Sequence, residues 1–388
     1  MSAGWREGDY PDAATLMEAA KLETGLSDFG PGDFREGLQV LLNSVKEDAA
    51  LSEEGVRLVV ADQKRRLVNR LEVENWYQTH PEADALPIRG PINIIGLPRT
   101  GTTALGNIMS LDAQFRALRG WEQAKPCPPP VAETEANDPR RIAAIQAQGR
   151  IPQKLLAMHL FDVDATVEDV EILGMAFHGQ GYTLPAYGYH SWWRSADLKS
   201  TFFYHRRVIK LLQSRRSPNL WLFKSPHHKF HLEAFLAAYP GTKFIMTHRD
   251  PGKSIPSHVS FLSNLFPPSS RHGGHDLHKL GRELSNHLRI GMEMALAARR
   301  RIGDDRFFDV YQRDIDADAI GTVQRIYDFL ELELRPEAKQ RMSGWLEKNR
   351  SGAHGAHRYT AEQFGLSRNR LRDDFDFYIK QFDVPIDD

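Results

Sequence analysis

Hydrophobic periodicity divides the chain near residue 90. Before that point apolar positions recur at helical spacing. Phe34, Leu38, Leu41, Leu42 and Val45 form one stripe, and Val56, Val59, Val60, Leu67, Val68 and Leu71 a second. Asp33 precedes the first stripe with Glu36 three residues on, the order of a capping box. Beyond residue 90, short apolar runs replace the stripes. Ile92, Ile94, Ile95 and Leu97 make the first, and residues 220–223, 243–248 and 306–311 repeat the pattern. Such runs predict strands buried on both faces. Helical patterns lie between them, over 104–111, 139–160, 200–214, 228–238, 252–266, 277–302 and 317–330. Strands alternating with helices predict an α/β fold with a parallel, doubly wound sheet of four or five strands. Residues 1–90 read as a helical N-terminal subdomain and 91–388 as the main domain.

Composition narrows the partners. A formal net charge of −1 argues against a general nucleic-acid binder, because affinity for a phosphate backbone needs a basic surface. Cys127 is the single cysteine, so neither a disulfide framework nor a thiolate metal cluster is expected. His227, His228 and His231 lie close together, but no carboxylate or thiol nearby completes a ligand set, and no metal is expected. No basic n-region with an apolar h-region opens the chain, and no run approaches eighteen apolar residues. The expectation is a cytoplasmic protein without a membrane span.

The chemistry concentrates where the first strand ends. INIIGLPRTGTT, residues 92–103, passes from apolar run to Gly-bracketed loop to helix start. Backbone N–H groups converge on such a loop, and the helix dipole adds partial positive charge, so it suits an anion. The spacing is that of a P-loop, but Gly101 is followed by Thr102 and Thr103, so the Lys of G-K-[ST] is missing. The missing Lys is the one that reaches the outer phosphates of a nucleoside triphosphate. Arg99 offers a cation from inside the loop. In doubly wound sheets ligands gather beyond the carboxyl ends of the strands. Lys224, Arg249 and Tyr311 all sit at or just after strand ends.

The G-x-P-R-[ST]-G-[ST]-[ST] pattern resembles the 5′-phosphosulfate loop of sulfotransferases that use 3′-phosphoadenosine-5′-phosphosulfate (PAPS). In particular it resembles the bacterial branch and the tyrosylprotein sulfotransferases. The resemblance implies a P-loop nucleoside-triphosphate-hydrolase-like architecture and places the donor on Arg99, Thr100, Gly101, Thr102 and Thr103. It also implies an Arg at a strand end with a Ser eight residues later for the 3′-phosphate, and KFIMTHRDPGKSIPSHVSF supplies Arg249 and Ser257 at that spacing. An Arg fork and a hydroxyl donor suit a phosphate. LWLFKSPHH resembles the segment whose Lys, here Lys224, stabilises the leaving group. Glu122 resembles the catalytic Glu of the tyrosylprotein branch, with His228 as the rival base. Tyr311 resembles a residue near the adenine, and His357, Arg358 and Tyr359 resemble a loop that closes on the nucleotide.

The implied reaction is transfer of a sulfuryl group from PAPS to a hydroxyl of a small or lipidic alcohol or phenol, without a metal. A P-loop-type small-molecule kinase and a non-catalytic nucleotide-binding protein are the alternatives. The aromatic stretch 177–204 reads as core rather than acceptor pocket, the acidic run 168–171 as a solvated helix face, and Arg299–Arg301 as a surface patch.

Overall fold

In the computed structural model, which describes residues 10–151, 162–179, 183–216, 219–349 and 359–387, five strands form one parallel sheet. They are β1 (Arg89–Gly96), β2 (Phe115–Ala117), β3 (Leu220–Lys224), β4 (Lys243–His248) and β5 (Phe307–Tyr311). Their order is β2-β3-β1-β4-β5, which puts the strand carrying the loop at the centre. Four of the five are the predicted runs. β2 has three residues, too few to show a periodicity of its own.

The apolar runs are explained by helices on both faces. Ile92 and Ile94 point into one core with Leu105, Leu222, Ile245 and Val310. Ile95 and Leu97 point into the other with Phe223, Phe244 and Met246. Successive strand side chains alternate in this way because the pleat repeats every two residues. At roughly 1.5–3 kcal/mol for each fully buried aliphatic side chain, this double burial is what holds β1 rigid beneath the loop.

The two N-terminal stripes are the buried faces of helices Phe34–Asp48 and Glu53–Thr79, which join the larger core together with helix Ala13–Thr24. Asp12 and Ser52 cap the first and third of these helices through their side chains. Asp33 makes no side-chain cap contact, so the predicted capping box is absent. Several helix boundaries differ from expectation. The loop helix is Thr102–Ser110, the pattern predicted over 139–160 gives helix Pro139–Gln148, with 152–160 outside the described residues, and residues 226–238 divide into a 3₁₀ turn, Pro226–Phe230, and helix Leu232–Ala238. Arg299 is not a surface residue. It is buried and donates to both carboxylate oxygens of Asp309 at 2.7 and 2.9 Å.

Most aromatics of 177–204 are core, with Phe177, Tyr189, Trp193, Phe202 and Tyr204 buried. Among the described residues no helix is long and apolar enough to cross a membrane.

Candidate active site

The loop after β1 is built on three backbone conformations with positive φ. Gly96 lies at +142°, Arg99 at +65° and Gly101 at +91°. Gly96 pairs with Thr247 of β4, and a Cβ at Gly96 would meet the Thr247 carbonyl oxygen at 2.5 Å, so only glycine lets the chain leave the sheet here. Arg99 is a non-glycine in the left-handed region and is held there from both ends. Its Nε donates to Ser257 Oγ at 3.2 Å, and its carbonyl accepts from Arg249 Nη1 at 3.1 Å. A sparsely populated conformation costs about 1–3 kcal/mol and persists where surrounding contacts fix it.

Gly101 precedes helix Thr102–Ser110 and gives it no side-chain cap. The first intrahelical bond runs from Leu105 N to Gly101 O at 3.0 Å, so the N–H groups of Thr102 and Thr103 open the helix toward the loop.

Thr100 faces the other way. Its buried hydroxyl donates to the Leu97 carbonyl at 2.7 Å and pairs with Thr247 Oγ1 at 2.6 Å. The side chain predicted to touch the donor therefore braces the loop against β4 instead.

A cleft of about 290 Å³ opens beside this loop. Pro98, Arg99, Gly101, Thr102, Thr103, Arg249 and Gln312 line it together with Val170, Pro226, His227, His258, Phe261, Leu262 and Leu265. Burial lowers the Arg99 pKa from its ordinary value, and the neighbouring Arg249 charge acts the same way. Tyr359 lies within electrostatic reach of Arg99, opposing that fall. His357 and Arg358 lie outside the described residues.

Lys224 ends β3 opposite Ile94 and is 2% exposed. Its Nζ lies 3.4 Å from Thr103 Oγ1 and 3.4 Å from Glu168 Oε1. Glu168 lines the cleft and also stands 3.9 Å from His227 Nε2. Its run was expected to be a solvated helix face, but three contacts pin residues 166–168 to the loop helix and to the segment 118–123. Thr166 N donates to Asn107 Oδ1 at 2.9 Å, Val167 N donates to the Leu118 carbonyl at 3.1 Å, and Gln123 Nε2 donates to the Glu168 carbonyl at 2.8 Å. No local sequence signal announces this, because every anchor is at least 45 residues away.

Both predicted bases stand elsewhere. Glu122 is wholly buried. One carboxylate oxygen takes the Arg116 guanidinium and the other accepts from Arg119 N at 2.8 Å, so Glu122 satisfies the N-cap N–H at the start of helix Gly120–Ala124. His228 is also buried. Nδ1 lies 2.9 Å from Asn93 Nδ2, and Nε2 stands 2.9 Å from Asp169 Oδ2, an oxygen shared with His205 Nε2 at 3.0 Å. Neither residue lines the cleft. To act as bases they would have to leave these partners.

The imidazoles that do line the cleft are neutral. Burial pushes His227 down to about 4, against a smaller upward pull from Glu168, and holds His258 well below the usual histidine range. Lys229, fully buried behind them, is pushed down by burial to about 7. Tyr311 is half-buried at the end of β5, where its hydroxyl donates to the Phe382 carbonyl at 2.6 Å. Among the described residues no group of three or more His, Cys, Asp or Glu could hold a metal ion.

A family model described as "Sulfotransferase family" matches residues 91–336. The structure is similar to that of sulfotransferase STF9 from Mycobacterium avium, with a TM-score of 0.89, 30% identity and coverage of 99% of each chain. It is also similar to sulfotransferase STF1 from Mycobacterium tuberculosis H37Rv, with a TM-score of 0.83, 26% identity and coverage of 95% of this chain and 99% of that one. No curated protein sequence gives a significant match.

Proposed function

The chain belongs to the sulfotransferase family, and from that premise we propose that it moves the sulfuryl group of PAPS to the hydroxyl of a small or lipidic alcohol or phenol. The observation that carries this reading is the junction of Arg99, Arg249 and Ser257. Arg99 bonds to Ser257, 158 positions on, and to Arg249, 150 positions on, and both arginines line the cleft, which supports reading the loop and this pair as two ends of one donor site. The 3′-phosphate group separates PAPS from ATP, and a guanidinium fork with a hydroxyl matches it.

In the proposed reaction the acceptor oxygen attacks sulfur in line with the bond to the 5′-phosphate. A new O–S bond forms as the old S–O bond breaks, and its electron pair goes to the phosphate oxygen, leaving 3′,5′-adenosine diphosphate. The acceptor proton goes to Glu168, the carboxylate on the cleft wall. Lys224, Arg99 and the N–H groups of Thr102 and Thr103 stabilise the charge that develops on the sulfuryl and leaving oxygens. Lys224 is poised between Glu168 and Thr103, so one short movement brings its ammonium from base to leaving group. Holding both ends of the donor fixes the sulfur for attack.

The apolar part of the cleft lining favours an uncharged acceptor. Val170, Phe261, Leu262 and Leu265 are apolar, and the imidazoles beside them are neutral.

The test follows 3′,5′-adenosine diphosphate release from PAPS with aliphatic alcohols and phenols as acceptors, for wild type and Glu168→Gln. The expected result is turnover by the wild type and a loss of about 10²–10⁴ in kcat for the variant, with donor affinity retained. Wild-type turnover by Glu168→Gln would return the role of base to Glu122 or His228.

A further inference from the structure

Arg249 already holds an anion. Its Nε donates to Asp387 Oδ2 at 3.2 Å, while Nη1 is engaged with the Arg99 carbonyl. Asp387 reaches this position from the far end of the chain, and it is fastened there. Its N–H donates to Asp250 Oδ2 at 3.2 Å, and its carbonyl accepts from Arg372 Nη2 at 2.7 Å. Arg372 in turn pairs with Asp250 Oδ2 at 2.7 Å. Asp250 is fully buried and caps helix Pro251–Ser263, the helix that carries Ser257. The carboxylate thus belongs to the same small assembly as the arginine and serine of the proposed 3′-phosphate site.

The surroundings mark this as a place for one anion and not two. A recess of about 80 Å³ beside Arg249 is lined by Tyr311, Arg313, Asp316 and Asp387. Burial pushes the Asp316 carboxyl up from its ordinary value, against the pull of Arg249. A phosphate dianion arriving at Arg249 would meet the Asp387 carboxylate on the guanidinium edge it needs, and the two would repel.

We infer that Asp387 is an internal competitor for the donor's 3′-phosphate, a carboxylate that occupies Arg249 until the nucleotide displaces it and returns as the product leaves. The inference rests on the reading of Arg249 given above. It makes Asp387 a specificity-determining residue that weakens every ligand bearing a 3′-phosphate and leaves ligands without one untouched. The exchange also keeps the half-buried guanidinium partnered in both states, so Arg249 does not stand alone when the cleft empties.

The test compares binding of 3′,5′-adenosine diphosphate and of adenosine 5′-phosphosulfate, which lacks the 3′-phosphate, by titration calorimetry. The proteins are wild type, Asp387→Asn, Asp387→Glu and Arg249→Ala. The Arg249–Asp387 pair is 28% and 38% exposed, which limits its strength. Asp387→Asn is expected to tighten the bisphosphate about three- to tenfold, less at high salt, and to leave the phosphosulfate unchanged. Asp387→Glu is expected to stay near wild type. Weaker or unchanged bisphosphate binding in Asp387→Asn would overturn the inference, since Asp387 would then orient Arg249 or merely accompany it. If Arg249→Ala leaves the preference for the bisphosphate intact, it is the 3′-phosphate reading of Arg249 that fails.

Discussion

Gly96→Ala is the substitution that most directly probes how the loop is made. The added Cβ would meet the Thr247 carbonyl oxygen at 2.5 Å, Thr247 Oγ1 at 2.7 Å and Thr247 N at 3.2 Å. Two of the three are backbone atoms of β4, the neighbouring strand in register, so neither can move without breaking the pairing. The φ of +142° is also one an alanine rarely adopts. The backbone conformation costs about 1–3 kcal/mol, and forcing an extra carbon into a packed site costs another 1–3 kcal/mol or so. A loss of about 4 kcal/mol is therefore expected. With 388 residues at roughly 2.1 cal/mol/K each, the unfolding entropy is about 0.8 kcal/mol/K, so Tm should fall by about 5 °C. Gly101→Ala is the internal comparison. Its Cβ would meet the Ile315 Cδ1 methyl at 3.1 Å, which can rotate away, and Gln312 Cγ in ordinary contact at 3.5 Å, so about 1–2 kcal/mol of backbone strain remains. Scanning calorimetry of the three proteins, with and without 3′,5′-adenosine diphosphate, is the assay. Gly96→Ala should lose both stability and ligand-induced stabilisation. An order of losses reversed between the two glycines, or none at Gly96, would refute the reasoning.

Two further outcomes follow from the site and its surroundings. Lys224→Met should lower kcat about 10²–10³-fold with a smaller change in donor KM, because its ammonium acts on charge that develops only in the transition state; equal loss in both parameters would make it a simple binding residue. Stability should fall as pH drops from 6.5 toward 4. Burial holds His190 at about 3 and His227 and His231 at about 4, so the unfolded chain takes up protons below pH 6.5 that the folded chain refuses. The slope is on the order of 1.4 kcal/mol per pH unit for each histidine. Urea midpoints that stay flat between pH 6.5 and 5 would contradict it.

What could be read before folding was whatever lay within one strand–loop–helix unit. Ile92 to Thr103 carries its own strand, turn residues and helix start, and Arg249 with Ser257 sits at a strand end and two turns into the next helix. β2 was illegible because three residues show no period. Glu168 was illegible because Asn107, Leu118 and Gln123 place it, and Asp387 because Asp250 and Arg372 do. Glu122 shows the converse. A carboxylate at a suggestive distance from the loop was claimed first by the N-cap N–H of its own helix and by Arg116, and burial then closed it off. Thr100 likewise belongs to the loop motif, but its hydroxyl satisfies the loop itself.

We propose that the cleft is shaped for a nucleotide with anions at both 3′ and 5′ positions rather than for a triphosphate. Calorimetric titration of the wild-type protein with 3′,5′-adenosine diphosphate and, separately, with ATP and Mg²⁺ tests it most directly. Charge-assisted bonds to the 3′-phosphate contribute about 1.5–3 kcal/mol each, so the bisphosphate should bind at least about tenfold more tightly. Equal or tighter binding of ATP with Mg²⁺ would contradict the account.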